Sequence, residues 1–138
     1  MGRTLLAAVL AMCGVTTTVS LRGQAATTVW GGVYTAEQGK RGETVFKDNC
    51  SACHADDLTG ADGPALKGEL FTLLWEGRSL ARLFERVRRM PPRKAPLEIE
   101  DSRDALAFIL QANGYPAGER ELSTDAAALA EIAIARKP

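Results

Sequence analysis

Apolar residues recur along this chain at helical rather than strand spacing. Thr35-Ala36-Glu37-Gln38 matches a capping box that opens a helix, and the pattern carries it over about 36–49 with Gly42, Val45 and Phe46 on one face. A glycine inside a helix costs roughly 1 kcal/mol against alanine unless close packing requires it, so Gly42 marks a helix crossing at short range. A second stretch opens near Ser79, where Leu80, Leu83, Phe84 and Val87 repeat at i, i+3, i+4 and i+7. Met90-Pro91-Pro92 ends it, because proline disfavours helical geometry at the residue before it and lacks a backbone donor. A third helix is expected over about 101–113, capped by Asp101 or Ser102, with Ala105, Leu106, Ile109, Leu110 and Ala112 apolar and Gly114 and Pro116 as stop signals. The alanine-rich 123–134 stretch reads as a terminal helix before a basic tail. No strand alternation of convincing length and no internal repeat interrupts this pattern. The fold class is therefore all-α.

Between the first two helices, 55–68 is rich in Asp, Gly and Pro, as in Asp62-Gly63-Pro64-Ala65-Leu66, and reads as a long loop. Thr27 to Tyr34 is a short lead containing Thr, Gly and aromatic residues.

The amino terminus adds a different signal. Met1-Gly2-Arg3, a mostly apolar run from Thr4 to Val19, and small residues near Gly23-Gln24-Ala25 describe a secretory signal peptide over 1–25. The alternative is a retained anchor, but the run holds several threonines and falls short of the ~20 residues that span a bilayer. Cys13 makes a poor lipoprotein site, since Met12 stands where a small residue is expected. The mature chain then starts near Ala26 and, at roughly 110 residues, suits a single core. The described organisation is a lead over 26–35, one domain over 36–122 and a helical extension over 123–138. The 17 basic and 17 acidic side chains balance over the whole sequence, and losing Arg3 and Arg22 leaves the mature chain slightly acidic. Such a balance gives no footprint for nucleic acid.

Cys50-Ser51-Ala52-Cys53-His54 carries the chemistry. C-x-x-C-H is the spacing for covalent attachment of c-type haem. Two thiols three residues apart can add to the vinyl groups of one porphyrin, and the following imidazole then supplies an axial iron ligand. Other readings of the dithiol are a local disulfide, half a zinc site or a thioredoxin-like redox pair. Zinc is one ligand short, because His54 is the sole histidine and the mature chain has no further cysteine. A thiol oxidoreductase would place the pair after a strand in alternating strand-helix units, which this pattern lacks.

A thioether opposite the histidine makes iron six-coordinate and raises its potential. Met90 is the single methionine of the mature domain and sits in a proline-bounded loop, so it is the candidate second ligand. The alternatives are a gap-filling core methionine, a lysine ligand or an open site. The other nitrogen of His54 needs an acceptor, and the Pro64 carbonyl is the candidate, unless Pro64 only shapes a turn.

The chain resembles the class I cytochromes c from about Gln38 to Leu122. Gly42, Val45 and Phe46 ahead of Cys50-x-x-Cys53-His54, followed by Leu58, Gly60, Gly63-Pro64-Ala65-Leu66 and Gly68, are similar to that family's attachment half. Leu80-x-x-Leu83-Phe84-x-x-Val87-Arg88 ahead of Met90-Pro91, then Ala107-Phe108-Ile109-Leu110-x-x-Asn113-Gly114-x-Pro116-Ala117-Gly118, are similar to its second half. One departure is that Arg89 alone separates Arg88 from Met90, where the nearest patterns have two residues. The resemblance implies a few helices around one covalent haem c, with first and last core helices crossing near Gly42 and Phe46. It implies covalent roles for Cys50 and Cys53, proximal and distal iron ligation by His54 and Met90, and histidine orientation by Pro64. It further implies a periplasmic electron carrier rather than an enzyme, and the short leader reading gives no stable membrane span after its removal. Its partners would be redox proteins: a dehydrogenase as donor, and an oxidase or another cytochrome as acceptor. A ligand-binding haem protein would instead need an open sixth site, and a thiol oxidoreductase would keep reactive cysteines.

Charge is distributed unevenly. Arg78, Arg82, Arg86, Arg88, Arg89, Arg93 and Lys94 crowd the segment around Met90, while Asp56, Asp57 and Asp62 follow the cysteine motif. Arg82, Arg86 and Arg89 share a helical face opposite the apolar stripe, with Glu85 partly neutralising it. That face reads as a solvated side or as a basic surface that steers an acidic partner, unless one of its arginines pairs with a haem propionate. Trp30 and Trp75 suit either core or porphyrin packing and are left without a role.

Overall fold

A computed structural model describes residues 28–92 and 95–137. The expected secretory leader and Arg93 and Lys94 lie outside the described residues. A 3-10 turn, Val29–Gly31, leads into six helices: α1 (Ala36–Asn49), α2 (Ser51–His54), α3 (Gly68–Trp75), α4 (Leu80–Arg88), α5 (Ile99–Ala112) and α6 (Ala126–Ala130). The described residues contain no strand, only isolated bridges of Ala133 with Thr28 and Ser79. The expected all-α class is what forms.

α1 starts as its sequence predicts. The Thr35 hydroxyl accepts the Gln38 N–H at 3.1 Å, satisfying one of the free donors of the first turn. α1 crosses α5 at Gly42, where a Cβ would run into the Asp104 carbonyl. That approach explains why a residue unfavourable to helices stands there. Phe46 and Phe108 meet one turn further on, with ring centroids 5.3 Å apart. Arg41 locks the other side of the crossing through Nε to Asp104 Oδ2 at 2.8 Å and through a terminal nitrogen to Glu121 at 2.7 Å. Burial pushes the Asp104 carboxyl up, but hydrogen bonding and the charges of Arg41 and Arg103 outweigh it and hold the group below its ordinary value.

α4 buries Leu80, Leu83, Phe84 and Val87, the stripe its sequence predicts, while Arg82, Arg86 and Arg89 stay exposed. α5 departs from expectation at its start. It begins at Ile99 after Glu98 with no side-chain cap, and Ser102, an expected cap, is buried inside the helix. Glu100 and Asp101 occupy its first turn, where their negative charge suits the free N–H groups. Its end follows the sequence signal, with Gly114 left-handed at φ 76.

Two segments differ from expectation. α3 forms where no element is expected, burying Phe71 and half-burying Trp75 one turn later. Its outward side carries Leu70, Leu73 and Leu74, 63%, 63% and 49% exposed, so the helix is apolar on both sides and lacks amphipathic contrast. The expected terminal helix stops after α6, and the chain then runs extended. Ile132 O accepts the Leu80 N–H at 2.8 Å, Ala133 O accepts that of Val29 at 3.0 Å, and Ile134 O accepts that of Gly77 at 2.9 Å. Trp30 Nε1 closes on the same tail, donating to Ala135 O at 3.0 Å and Arg136 O at 2.8 Å. β-Branched Ile132 and Ile134 at alternate positions favour this extended form, and it satisfies backbone groups between α3 and α4 that a helix would leave free.

Candidate functional site

The site grows from the end of α1. Cys50 breaks the helical path at φ −120, yet its N–H still bonds to Phe46 O at 2.8 Å. A single turn, α2, follows, in which Cys53 and His54 donate backbone N–H groups to Cys50 O at 3.2 and 3.0 Å. One turn thus separates two free thiols, Cys50 half-buried and Cys53 exposed. Burial, with a smaller contribution from Cys53, pushes the Cys50 thiol up to about 11. A redox-active thiol needs the opposite shift, because only the thiolate attacks.

His54 is buried, and its Nδ1 lies 2.7 Å from Pro64 O. A carbonyl only accepts, so Nδ1 carries the proton and Nε2 keeps its lone pair free for a metal. The loop from Ala55 to Gly68 is folded back to deliver that carbonyl. Gly60 N–H bonds to His54 O at 3.0 Å, Gly63 N–H to Cys53 O at 2.7 Å, and Leu66 N–H to Leu58 O at 2.9 Å. Gly63 lies close to the imidazole, where a Cβ would come within 2.8 Å of His54 Cε1. Asn113 then ties the loop to α5, its amide donating to Leu66 O at 2.9 Å and its carbonyl accepting the Gly68 N–H at 3.0 Å. Closing the loop requires left-handed backbone at two non-glycine residues, Ala55 at φ 61 and Leu58 at φ 63.

The fold therefore brings together Cys50, Cys53, His54 and Pro64. Met90 stands half-buried just past α4, its N–H bonded to Val87 O at 3.0 Å, and makes no hydrogen bond with that group. The sequence alone gives Asn113 no role as a loop clamp and Ala55 no left-handed conformation. Asn113 shows itself in sequence only as a helix-end residue.

Residues 37–109, just over half of the chain, match the family model described as cytochrome C oxidase, cbb3-type, subunit III. The chain belongs to this family of class I c-type cytochromes. Neither a curated protein nor a solved structure matches it significantly. Cytochrome c domains of this family carry covalently attached haem c and transfer electrons rather than convert a substrate. The residues fit that group in their donor chemistry: two cysteine side chains one turn apart with no disulfide between them, and a neighbouring imidazole whose Nδ1 is engaged by a carbonyl, which leaves Nε2 as the donor. In this cytochrome Trp30 is absorbed by the carboxy-terminal tail and Tyr115, and Trp75 lies 6.5 Å from the Phe71 ring.

Proposed function

We propose that this cytochrome shuttles single electrons outside the cytoplasm, taking them from a dehydrogenase and passing them to a terminal oxidase or another cytochrome. Cys50 and Cys53 would hold the porphyrin through thioethers, and His54 Nε2 and Met90 would supply the iron ligands. Haem, when bound, supplies a one-electron ferric/ferrous couple whose potential a thioether ligand raises. Pro64 fixes the imidazole by accepting from Nδ1, Gly63 leaves room for the ring, and Asn113 holds their loop against α5.

The observation that carries the reading is the 2.7 Å contact of His54 Nδ1 with Pro64 O, directly after two free thiols. A carbonyl that orients the imidazole and raises its basicity is the usual companion of a metal-bound histidine. The family's description names an oxidase, which supports an acceptor of that class. The leader-like amino terminus supports export, and no helix among the described residues is long and apolar enough to cross a membrane.

A reduced-minus-oxidised visible spectrum of protein matured in an oxidising compartment tests this reading. Sharp c-type bands, with the weak oxidised-state band of sulfur-to-iron coordination, are the expected result. Haem bands without the sulfur signature, together with ready binding of carbon monoxide, would replace the carrier by a ligand-binding haem protein.

A further inference from the structure

The carboxy-terminal extension lies beyond the segment that the family model covers, yet it is built into the fold. α6 packs against α4 with Leu129 fully buried, and the extended segment over 132–136 forms a strap in which Ile134 is fully buried. The strap crosses the junction between α3 and α4. Gly77 N–H donates to Ile134 O at 2.9 Å, Ile134 N–H donates to Arg78 O at 2.9 Å, and Leu80 N–H donates to Ile132 O at 2.8 Å. Leu80 opens α4, whose N-cap residue Ser79 makes no side-chain hydrogen bond to the first turn. The Ile132 carbonyl therefore takes the place of a cap, and its partial negative charge suits a helix N-terminus. The other edge of the strap is fastened to the lead, through Val29 N–H to Ala133 O at 3.0 Å and Trp30 Nε1 to Ala135 O and Arg136 O at 3.0 and 2.8 Å. Arg136 closes it against α3, with Nε 2.7 Å from Glu76 and a terminal nitrogen 3.1 Å from Glu69.

Met90 stands at the far end of the same helix. The N–H groups of Arg89 and Met90 bond to Arg86 O and Val87 O at 3.2 and 3.0 Å, so the backbone at Met90 continues the last turn of α4. A helix of nine residues does not hold itself together alone, and its position comes from what it rests on. For α4 those supports are the buried stripe Leu80, Leu83, Phe84 and Val87, the helices α5 and α6, and the strap at its start.

We propose that the strap is a positioning element for Met90. By capping and tethering the start of α4, it fixes the helix whose other end presents the thioether, and it slows the departure of Met90 from iron. The proposal rests on Met90 as the second ligand, as read above. Loosening the strap then promotes a local opening of α4, distinct from opening of the α1–α5 crossing, which has its own lock in Arg41 and Asp104.

Carbon monoxide binding to the ferrous holoprotein measures this opening. The gas enters only after Met90 leaves, so at high concentration the rate levels off at the rate of Met90 departure. Trp30→Phe, Arg136→Gln and removal of residues 132–138 weaken the strap to increasing extents. Asp104→Asn loses stability at the α1–α5 crossing and leaves the strap intact. The limiting rate should rise roughly threefold in Trp30→Phe and by about tenfold or more in the deletion, as loss of one and of several net hydrogen bonds predicts. Asp104→Asn should keep the wild-type rate. The two point variants leave buried Ile134 in place and carry the comparison if the deletion does not fold. An unchanged limiting rate in both point variants would overturn the proposal. A rate raised equally in Asp104→Asn and in a strap variant of the same thermal midpoint would also overturn it, because departure would then follow global stability alone. Wild type that binds carbon monoxide with no limiting rate would reject Met90 as ligand, and amide hydrogen exchange would then decide the tether of α4. Faster exchange at Met90 than at Phe46 and Leu106 in Trp30→Phe supports the tether, and uniform exchange overturns it.

Discussion

His54 Nδ1 sits 2.7 Å from the carbonyl oxygen of Pro64, and the intervening loop brings Gly63 close to Cε1 and Nδ1 of the imidazole. The contact donates electron density through the ring toward Nε2. Gly63→Ala places a Cβ within 2.8 Å of Cε1 and 3.0 Å of Nδ1, so the ring must tilt away from its acceptor. Overpacking of this kind costs about 1–3 kcal/mol. The expected outcome is a lower denaturation midpoint and a raised reduction potential, because the imidazole loses the hydrogen bond that strengthens it as a donor. Chemical denaturation and a redox titration of the same preparation check both.

Met90 is the one methionine among the described residues, at the turn where Val87 O closes on its N–H at 3.0 Å. Met90→Ala should leave haem covalently attached, lower the potential, remove the sulfur-to-iron band and open ferrous iron to carbon monoxide. Unchanged potential and ligation in a spectroelectrochemical titration would reject Met90 as the second ligand.

The Arg41–Asp104 pair gives a pH signature. The Asp104 carboxyl is held below its ordinary value of 3.8 in the folded protein. A depressed carboxyl favours folding at pH values above the unfolded value, and that contribution disappears as pH falls through the lower folded value. Asp104→Asn should cost about 2 kcal/mol at neutral pH. Its stability curve should also be flatter than that of the wild type below about pH 4. Urea denaturation of both proteins from neutral pH down to pH 3 would measure the difference.

Ala55 follows the Cys50-x-x-Cys53-His54 run at φ 61 and ψ 153, a region that suits glycine. Ala55→Gly should raise stability by about 1 kcal/mol, the relief of strain exceeding the entropy that glycine adds to the unfolded chain. The thermal midpoint of the holoprotein reads this directly.

The sequence made some of these relationships legible and hid others for physical reasons. Thr35 with Gln38, and the Leu80, Leu83, Phe84 and Val87 stripe, are local signals, and the fold keeps both. Gly42 announced the α1–α5 crossing because its cost has no local return. α3 stayed hidden because Leu70, Leu73 and Leu74 make its solvent side as apolar as its buried side. The tail after α6 departs from the helical expectation because alanine favours helix locally, whereas the backbone groups at Val29, Gly77 and Leu80 that select an extended chain are remote in sequence. In the site, Cys50, Cys53 and His54 are legible from their spacing, whereas loop composition leaves Pro64 equally readable as a turn residue and the resemblance supplies its role. The Asn113 clamp on Leu66 and Gly68 is a tertiary contact that spacing alone does not reveal.

The most direct test of the central claim is the intact mass of the denatured protein after maturation in an oxidising compartment. The account predicts the mature chain plus one haem in the wild type, and the bare mature chain when Cys50→Ala and Cys53→Ala are combined. A wild-type mass without haem, or haem retained through denaturation in the double variant, would contradict it.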